Sequence, residues 1–498
     1  MMESSILLKT SRRCINYACK SLAVRSISRL FSWFFVLLSN SFFFHPFFNP
    51  TPFAKIAEAS KARILADGTF TLTKVLGTRC AEGIRSSKAI LLARRFLHRP
   101  GWIFGGILMV LTCVPNDNWN NAYNTILALL LFFYAVVRAV VLQKPFIKKG
   151  TMPLSLLLFI AIVCLAQALS QDFALSIRFF IFYATAFLFC ISALSMLDEA
   201  KTIKQTITLW LTGTFFTGLY GIWQNATGAI KFDPTQTDAA FKGSDLPGRI
   251  YSTFGNPNNY AELLILTIPL FVAMIIIVKK PLAKLAFAGM LVPLVMALML
   301  TGSRSAWISI VFGLVVFMLL LKPKWIPLLL IGGLCMSPFL PDYVTARMLS
   351  LFNGTDSSSR YRQTIFRTVK PVFKGAWFEG VGVGPQIFVN TILQFPLYTL
   401  NPPPHVHRTI YQVWIEFGIV GAGALCVFVF GTLARAVRAI VAFFKTKYAV
   451  LLAGLIASIA GITLMSIGEH VWFYPRMMVC FFVTIALLLA WLSIDKES

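Results

Sequence analysis

The stretch His405-Val-His-Arg-Thr-Ile-Tyr-Gln-Val-Trp-Ile-Glu416 closes the longest interruption in an otherwise apolar chain. That interruption begins at Pro341 and holds two of the chain's five histidines, His405 and His407, with Arg347, Arg360, Arg362, Arg367 and Arg408. Apolar runs flank it on both sides. Of the 498 residues, 57% are hydrophobic and only 13% are charged. A soluble protein of that size needs more polar surface, so a polytopic membrane protein is implied. A bilayer admits helices or closed barrels, and a helical span takes about 20 apolar residues. The runs here are continuous rather than alternating, which specifies an all-α polytopic membrane protein.

Working outward, twelve candidate spans follow Pro100, near 102–114, 121–142, 152–170, 173–196, 205–224, 260–278, 284–301, 305–321, 325–340, 409–433, 449–467 and 472–493. Charge orients them. Residues 1–100 carry 16 Lys/Arg against 4 Asp/Glu, +12 of the net +26, and belong in the cytoplasm. The inside loops then hold Lys144, Lys148 and Lys149; Lys201 and Lys204; Lys279, Lys280 and Lys284; Lys322 and Lys324; and Arg435, Arg438, Lys445 and Lys447. The outside turns are 115–120, 171–172, 225–259, 302–304, 341–408 and 468–471. The expected organisation is a basic cytoplasmic or interfacial segment (1–100), spans one to nine (101–340), a large outer loop (341–408) and spans ten to twelve with a short tail (409–498). Both termini are cytoplasmic. Leu30–Phe48, broken by Ser39, Asn40, Ser41, His45 and Pro46, is expected to lie in the interface or form a partial hairpin, because spanning would strand six positive charges outside. The surplus of cations is accounted for by loops facing anionic membrane lipids, with no nucleic acid required. Nine cysteines are scattered singly without metal-ligand spacing and read as small core residues.

Against this background the outer arginines are exceptional. Loop 341–408 has seven Lys/Arg and three Asp/Glu, contrary to the charge rule, and Arg249 is the only arginine of loop 225–259. Arg304 sits at a tight turn, Thr301-Gly-Ser-Arg-Ser-Ala-Trp307. A cation within a span costs about 2.5–3.5 kcal/mol, so Arg304 should have an anionic partner. Arginine's planar fork suits phosphate, which makes Arg249, Arg304 and Arg360 candidates for the pyrophosphate of a lipid-linked donor. The competing reading has them snorkelling to headgroups or pairing with Asp245, Asp356 or Glu416. Glu262 ends Phe254-Gly-Asn-Pro-Asn-Asn-Tyr-Ala-Glu262 and is a further candidate partner for Arg304 or Arg249. The Asn and Pro there fit a capped helix start. Ser357-Ser-Ser followed by Arg360-Tyr-Arg predicts an amphipathic helix ending before Pro371, with Arg362 and Arg367 solvating one face. Gly380-Val-Gly-Val-Gly384 lacks the setting of a phosphate loop and is expected to be a tight turn.

His407, just before the tenth span, can take a proton from an attacking hydroxyl near neutral pH. A structural loop histidine is the alternative, and His405 competes for the same role. A metal pair is disfavoured, since no third ligand lies nearby in sequence. Glu416 falls nine residues past His407, about two and a half helical turns, and is expected to orient His407 or balance an arginine. Glu469, His470 and Arg476 form another polar group that either lines the same cavity or makes a local salt bridge.

These pieces together resemble the O-antigen ligase superfamily, which includes O-antigen ligases, O-antigen polymerases and protein O-oligosaccharyltransferases. The resemblance rests on Arg249 with Phe254-Gly-Asn-Pro-Asn258, Thr301-Gly-Ser-Arg304-Ser-Ala-Trp307, Arg360 followed by Gly380-Val-Gly-Val-Gly384, and His407 nine residues before Glu416-Phe-Gly-Ile-Val-Gly421. The family usually has His-Asn where this chain has His407-Arg408. The resemblance implies a C-type glycosyltransferase fold in the bacterial inner membrane, with a large periplasmic loop between spans nine and ten. It implies metal-independent transfer, without a cofactor, of a glycan from undecaprenyl-pyrophosphate to a lipid A-core or other sugar hydroxyl. His407 would be the base, Arg249, Arg304 and Arg360 the pyrophosphate site, and Glu416, His405, Arg408 and Glu262 its support. A polymerase or a protein O-oligosaccharyltransferase is the reading within the family that competes. A lipid-linked oligosaccharide transporter competes from outside it, but the chain shows no internal repeat.

Overall fold

Each apolar run becomes a helix because nothing else in it can satisfy the backbone within a bilayer. The computed structural model describes residues 95–494 except 149, 231–247, 337–344, 346–356, 400 and 445. The expectations for residues 1–94, Lys149, Asp245, Arg347, Asp356 and Lys445 lie outside the described residues. Nine helices come first: α1 (Pro100–Cys113), α2 (Asn121–Val141), α3 (Leu154–Ala168), α4 (Phe173–Met196), α5 (Ala200–Thr227), α6 (Pro257–Ile277), α7 (Pro281–Leu300), α8 (Arg304–Leu321) and α9 (Ile326–Met336). Three shorter ones follow, α10 (Ser357–Val369), α11 (Val372–Gly375) and α12 (Pro385–Ile392), then α13 (Thr409–Ala442), α14 (Lys447–Met465) and α15 (Pro475–Leu492).

Eight of these, α2, α4, α6, α7, α8, α13, α14 and α15, are long and apolar enough to cross a membrane. The protein is therefore multi-pass. Helices α1 and α3 are apolar but shorter, and α5 is longer and richer in Thr and Gly. All twelve expected spans have a helix in the expected order. Limits differ most at α13, which continues to Ala442 and carries Arg435 and Arg438 on the helix itself. Long basic side chains reach polar groups from inside a helix end, and Arg435 donates to the Gly150 carbonyl. Helix α15 is central, with 94% of its apolar window buried, whereas α7 is peripheral at 22%. On the peripheral helices Phe133, Leu282 and Leu285 point outward, as lipid-facing side chains do.

The two ends of the bundle differ. At one end Asp198 accepts from Arg138 at 2.9 Å and Lys144 at 2.8 Å, and Lys447 donates to the Ile277 carbonyl. At the other end, helices α10–α12 form a lobe with its own small core, including Ile365, Val369, Phe388 and Ile392, joined by Val406 and Ile415. The lobe docks on α13 through backbone hydrogen bonds: Val381 N–H to Ile415 O at 2.8 Å, Gly382 N–H to Glu416 O at 3.2 Å and Ile419 N–H to Trp377 O at 2.8 Å. To receive them α13 opens at Gly418 (φ 70°, ψ −179°), a conformation open essentially to glycine alone. The run 380–384, expected as a tight turn, is instead one side of this seam. Its glycines are needed because a Cβ at Gly380 would sit 2.6 Å from Glu416 O.

A Cβ at Gly418 would collide with the Phe378 carbonyl. Gly418→Ala should therefore cost roughly 1–3 kcal/mol from backbone strain alone and more from the clash, read as lost monodisperse yield and lower thermal stability in detergent. Gly423→Ala, where a Cβ meets nothing within 4 Å, should behave as wild type.

Candidate functional site

The site is assembled at the lobe end from five separate chain segments. Asn256 caps α6, accepting from Asn258 N–H at 2.8 Å, with Pro257 in the first turn, as the sequence predicts. This cap presents Asn258 sideways. Its Oδ1 accepts from Arg249 Nη2 at 2.7 Å, and its Nδ2 donates to Glu469 Oε1 at 3.3 Å. Arg249 also donates through Nε to the Thr301 carbonyl at 2.7 Å. Arg249 thus lies along the Thr301–Ser303 turn that leads into Arg304, the first residue of α8. Phe254, from the same box, stacks on Tyr260 and lies under the Arg476 guanidinium.

Glu469, in the short connection between α14 and α15, is the centre of the arrangement. Its side chain is 7% exposed. Oε1 also accepts from Arg362 Nη2, and Oε2 lies 3.1 Å from His407 Nδ1. Burial alone pushes its carboxyl up, but the hydrogen bond from His407 and the charges of Arg362, His407 and Arg249 outweigh burial and hold it below the usual carboxylate range. Arg362, expected to solvate a helix face, is instead turned onto this carboxylate, while Arg367 is exposed as expected. The difference between them is physical: α10 presents one face to the Glu469 loop and packs Ile365 and Val369 inward.

The two histidines separate clearly. His405 is buried, with its ring 4.4 Å from Phe473 and its Nδ1 accepting the His407 backbone N–H at 3.1 Å. Burial, then the neighbouring His407, His470 and Arg362, keeps its ring well below the ordinary histidine range. Burial and His407 likewise push His470 down to about 3. His407 is a quarter exposed, faces Tyr361 edge-on, and holds a left-handed backbone (φ 55°). Such strain in a non-glycine residue persists only where surrounding contacts enforce it. Among the described residues no group of three or more His, Cys, Asp or Glu side chains is gathered as metal ligands.

Other expected partnerships are replaced. Glu416 does not touch His407. It accepts from Tyr183 Oη at 3.0 Å, Gln412 Nε2 at 3.0 Å and Gly384 N–H at 3.2 Å. Gln412 in turn accepts from Val406 N–H at 3.0 Å, so Glu416 supports the histidine segment indirectly. Arg408 lies over the Phe366 and Tyr411 rings. Arg476 donates to the carbonyls of Val114 and Thr253 and to Asn116, a structural tie away from Glu469. Among the described residues Glu262 pairs with neither Arg249 nor Arg304, and its Oε2 is buried without a hydrogen-bond partner. Arg360 is exposed, one residue before Tyr361.

A family model described as O-antigen ligase matches residues 289–426. The match covers 138 of the 498 residues and supports a place for the chain in the O-antigen ligase superfamily. Its members are glycosyltransferase-like ligases and polymerases, so the protein is an enzyme of that broad kind, acting on lipid-linked glycans in a membrane. No curated protein matches the chain. The O-antigen ligase match contains Arg304, Arg360, His407 and Glu416, while Arg249 and Asn258 precede it and Glu469 follows it. Sequence reasoning placed Glu469 near the site but missed it as the hub, along with Arg362 and Asn258. One signal was available: Glu469 is the only carboxylate between Phe417 and Ile494.

Glu469→Ala leaves Arg362 and His407 without their buried counter-charge and should cost about 3–5 kcal/mol, measured by thermal unfolding in detergent. A second expectation concerns pH. His405 and His470 resist protonation when folded, so their contribution is full above the ordinary histidine pKa of about 6.5. It declines as pH falls below that, because the unfolded chain takes up protons first. Glu469 adds a further loss only below the usual carboxylate range. Thermal stability should therefore drop between pH 7 and 5, and His470→Asn should flatten that drop.

Proposed function

We propose that this O-antigen ligase homologue transfers a glycan from undecaprenyl-pyrophosphate to a sugar hydroxyl of lipid A-core or another glycan, at the periplasmic face of a bacterial inner membrane. The line Arg249–Asn258–Glu469–His407 carries the reading, because it joins a phosphate-binding fork to a basic nitrogen in one hydrogen-bonded network. In the reaction the acceptor oxygen attacks the anomeric carbon of the donor glycan. The bond from that carbon to the pyrophosphate oxygen breaks, and the electron pair leaves with the pyrophosphate. The hydroxyl proton passes to Nε2 of His407. Glu469 at Nδ1 favours the tautomer that leaves Nε2 free to accept, and offsets the imidazolium charge that forms. Arg249 and Arg304, gathered at the Thr301–Ser303 turn, stabilise the charge growing on the leaving pyrophosphate. Exposed Arg360 positions substrate, and no metal takes part.

In membranes supplied with lipid-linked donor, His407→Ala should lower turnover roughly 10²–10⁴-fold, and Arg304→Ala roughly 10²–10³-fold. Turnover should persist in EDTA. Wild-type protein expressed in strains lacking a ligase, a polymerase or a protein O-glycosylation enzyme identifies the acceptor by which glycan returns. Both variants acting at the wild-type rate, at equal membrane levels, would sink the scheme.

A further inference from the structure

The bundle's other end carries a feature that the transfer reaction does not use. Two adjoining cavities of about 780 and 720 Å³ open there, sharing Trp102, Glu199, Lys201 and Gln205 in their walls. They lie beside the start of α5, whose far end carries Gln224 against Ser252 near the candidate site. At 1.5 Å per residue the start of α5 and Gln224 stand roughly 36 Å apart, so these cavities are no part of that site.

Among the described residues, cations outnumber carboxylates in their walls. Lys201, Lys204, Arg95 and Arg99 line them, against Asp198 and Glu199. Asp198 is already taken by Arg138 and Lys144, and Lys144 also lies 3.5 Å from Glu199. Half-buried Lys204 has no carboxylate partner among the described residues. It rests over the Trp491 ring and lies within electrostatic reach of a second cation, Lys447. Two ammonium groups held close together in partly apolar surroundings repel unless an anion sits between or beside them.

The rest of the wall is apolar. Leu209 lies about two turns up α5, and Ile494 faces the cavity from beyond α15. Trp102 is 53% exposed, at the position where aromatic side chains meet the membrane interface. A free phosphate has no use for such a wall, whereas an acyl-linked one does. We propose that this cavity binds the phosphodiester headgroup of an anionic phospholipid, with Lys201 and Lys204 on the phosphate and the chain side against Trp102, Leu209 and Ile494. The site lies in the leaflet opposite to the glycan transfer site.

The test uses the purified full chain in detergent, titrated with phosphatidylglycerol, phosphatidylcholine or inorganic phosphate, with native mass spectrometry and thermal shift as readouts. Phosphatidylglycerol should bind and raise the melting temperature well above the level reached with phosphatidylcholine. The double variant Lys201→Gln/Lys204→Gln should weaken that binding roughly thirtyfold, at about fivefold per lysine. Lys201→Arg/Lys204→Arg, which keeps the charge, should restore it and controls for folding. Equal binding of the two lipids, or equal phosphatidylglycerol binding by wild type and the Gln variant, overturns the site. A shift reproduced in full by inorganic phosphate overturns the lipid assignment.

Discussion

One buried carboxylate sets the constraint on which the lobe end depends. Glu469 gathers a guanidinium from α10, an imidazole from the segment before α13 and an amide from the cap of α6. Its backbone carbonyl also accepts from Thr409 Oγ1, and Thr409 Oγ1 accepts from Val471 N–H, which ties the same loop to the start of α13. Without the carboxylate, Arg362 and Arg249 would face each other and His407 across a region with little water. Like charges in such surroundings repel strongly. The lobe therefore docks in its observed place because a single anion is shared among donors that no other described group would hold together.

A backbone constraint complements this electrostatic one. The seam between the 377–382 strand of chain and α13 satisfies peptide groups that a broken helix would otherwise leave exposed. Opening α13 at Gly418 brings the Ile415 and Glu416 carbonyls outward to receive the lobe. Glu416 then turns its side chain the other way, toward Tyr183 on α4 and the Gly384 amide. The same short stretch thus fixes the lobe by its backbone and the bundle by its side chain, and through Gln412 it also holds Val406, between the two histidines.

Much of the fold was legible because its cause is one-dimensional. Continuous apolar length and loop charge are properties of the chain itself, and they yielded twelve helices in order. The site was legible in part. Arg249, the Asn-Pro cap and the turn before Arg304 lie close in space because short connections keep them so. The partners of His407 were not legible, because partnership is set by packing across the bundle. Counting turns from His407 to Glu416 assumed that both belong to one regular face. His407 precedes α13 in a left-handed conformation, and Glu416 faces Tyr183 instead. Glu469 lies 62 residues beyond His407, and only the antiparallel return of α14 brings it back. Arg362 and Arg360 differ by two positions, which on a helix is a rotation of about 200°, enough to send one to Glu469 and leave the other exposed.

The shared carboxylate also bears on how the proposed reaction would be timed. Before a donor arrives, Glu469 offsets Arg362 and His407 and feels the charge of Arg249. A pyrophosphate bound at Arg249 and Arg304 would neutralise part of that positive field. Glu469 would then be left to offset Arg362 and the charge that forms on the histidine side of the network. In the proposed reaction, phosphate recognition and proton acceptance would be linked through Asn258 and Glu469.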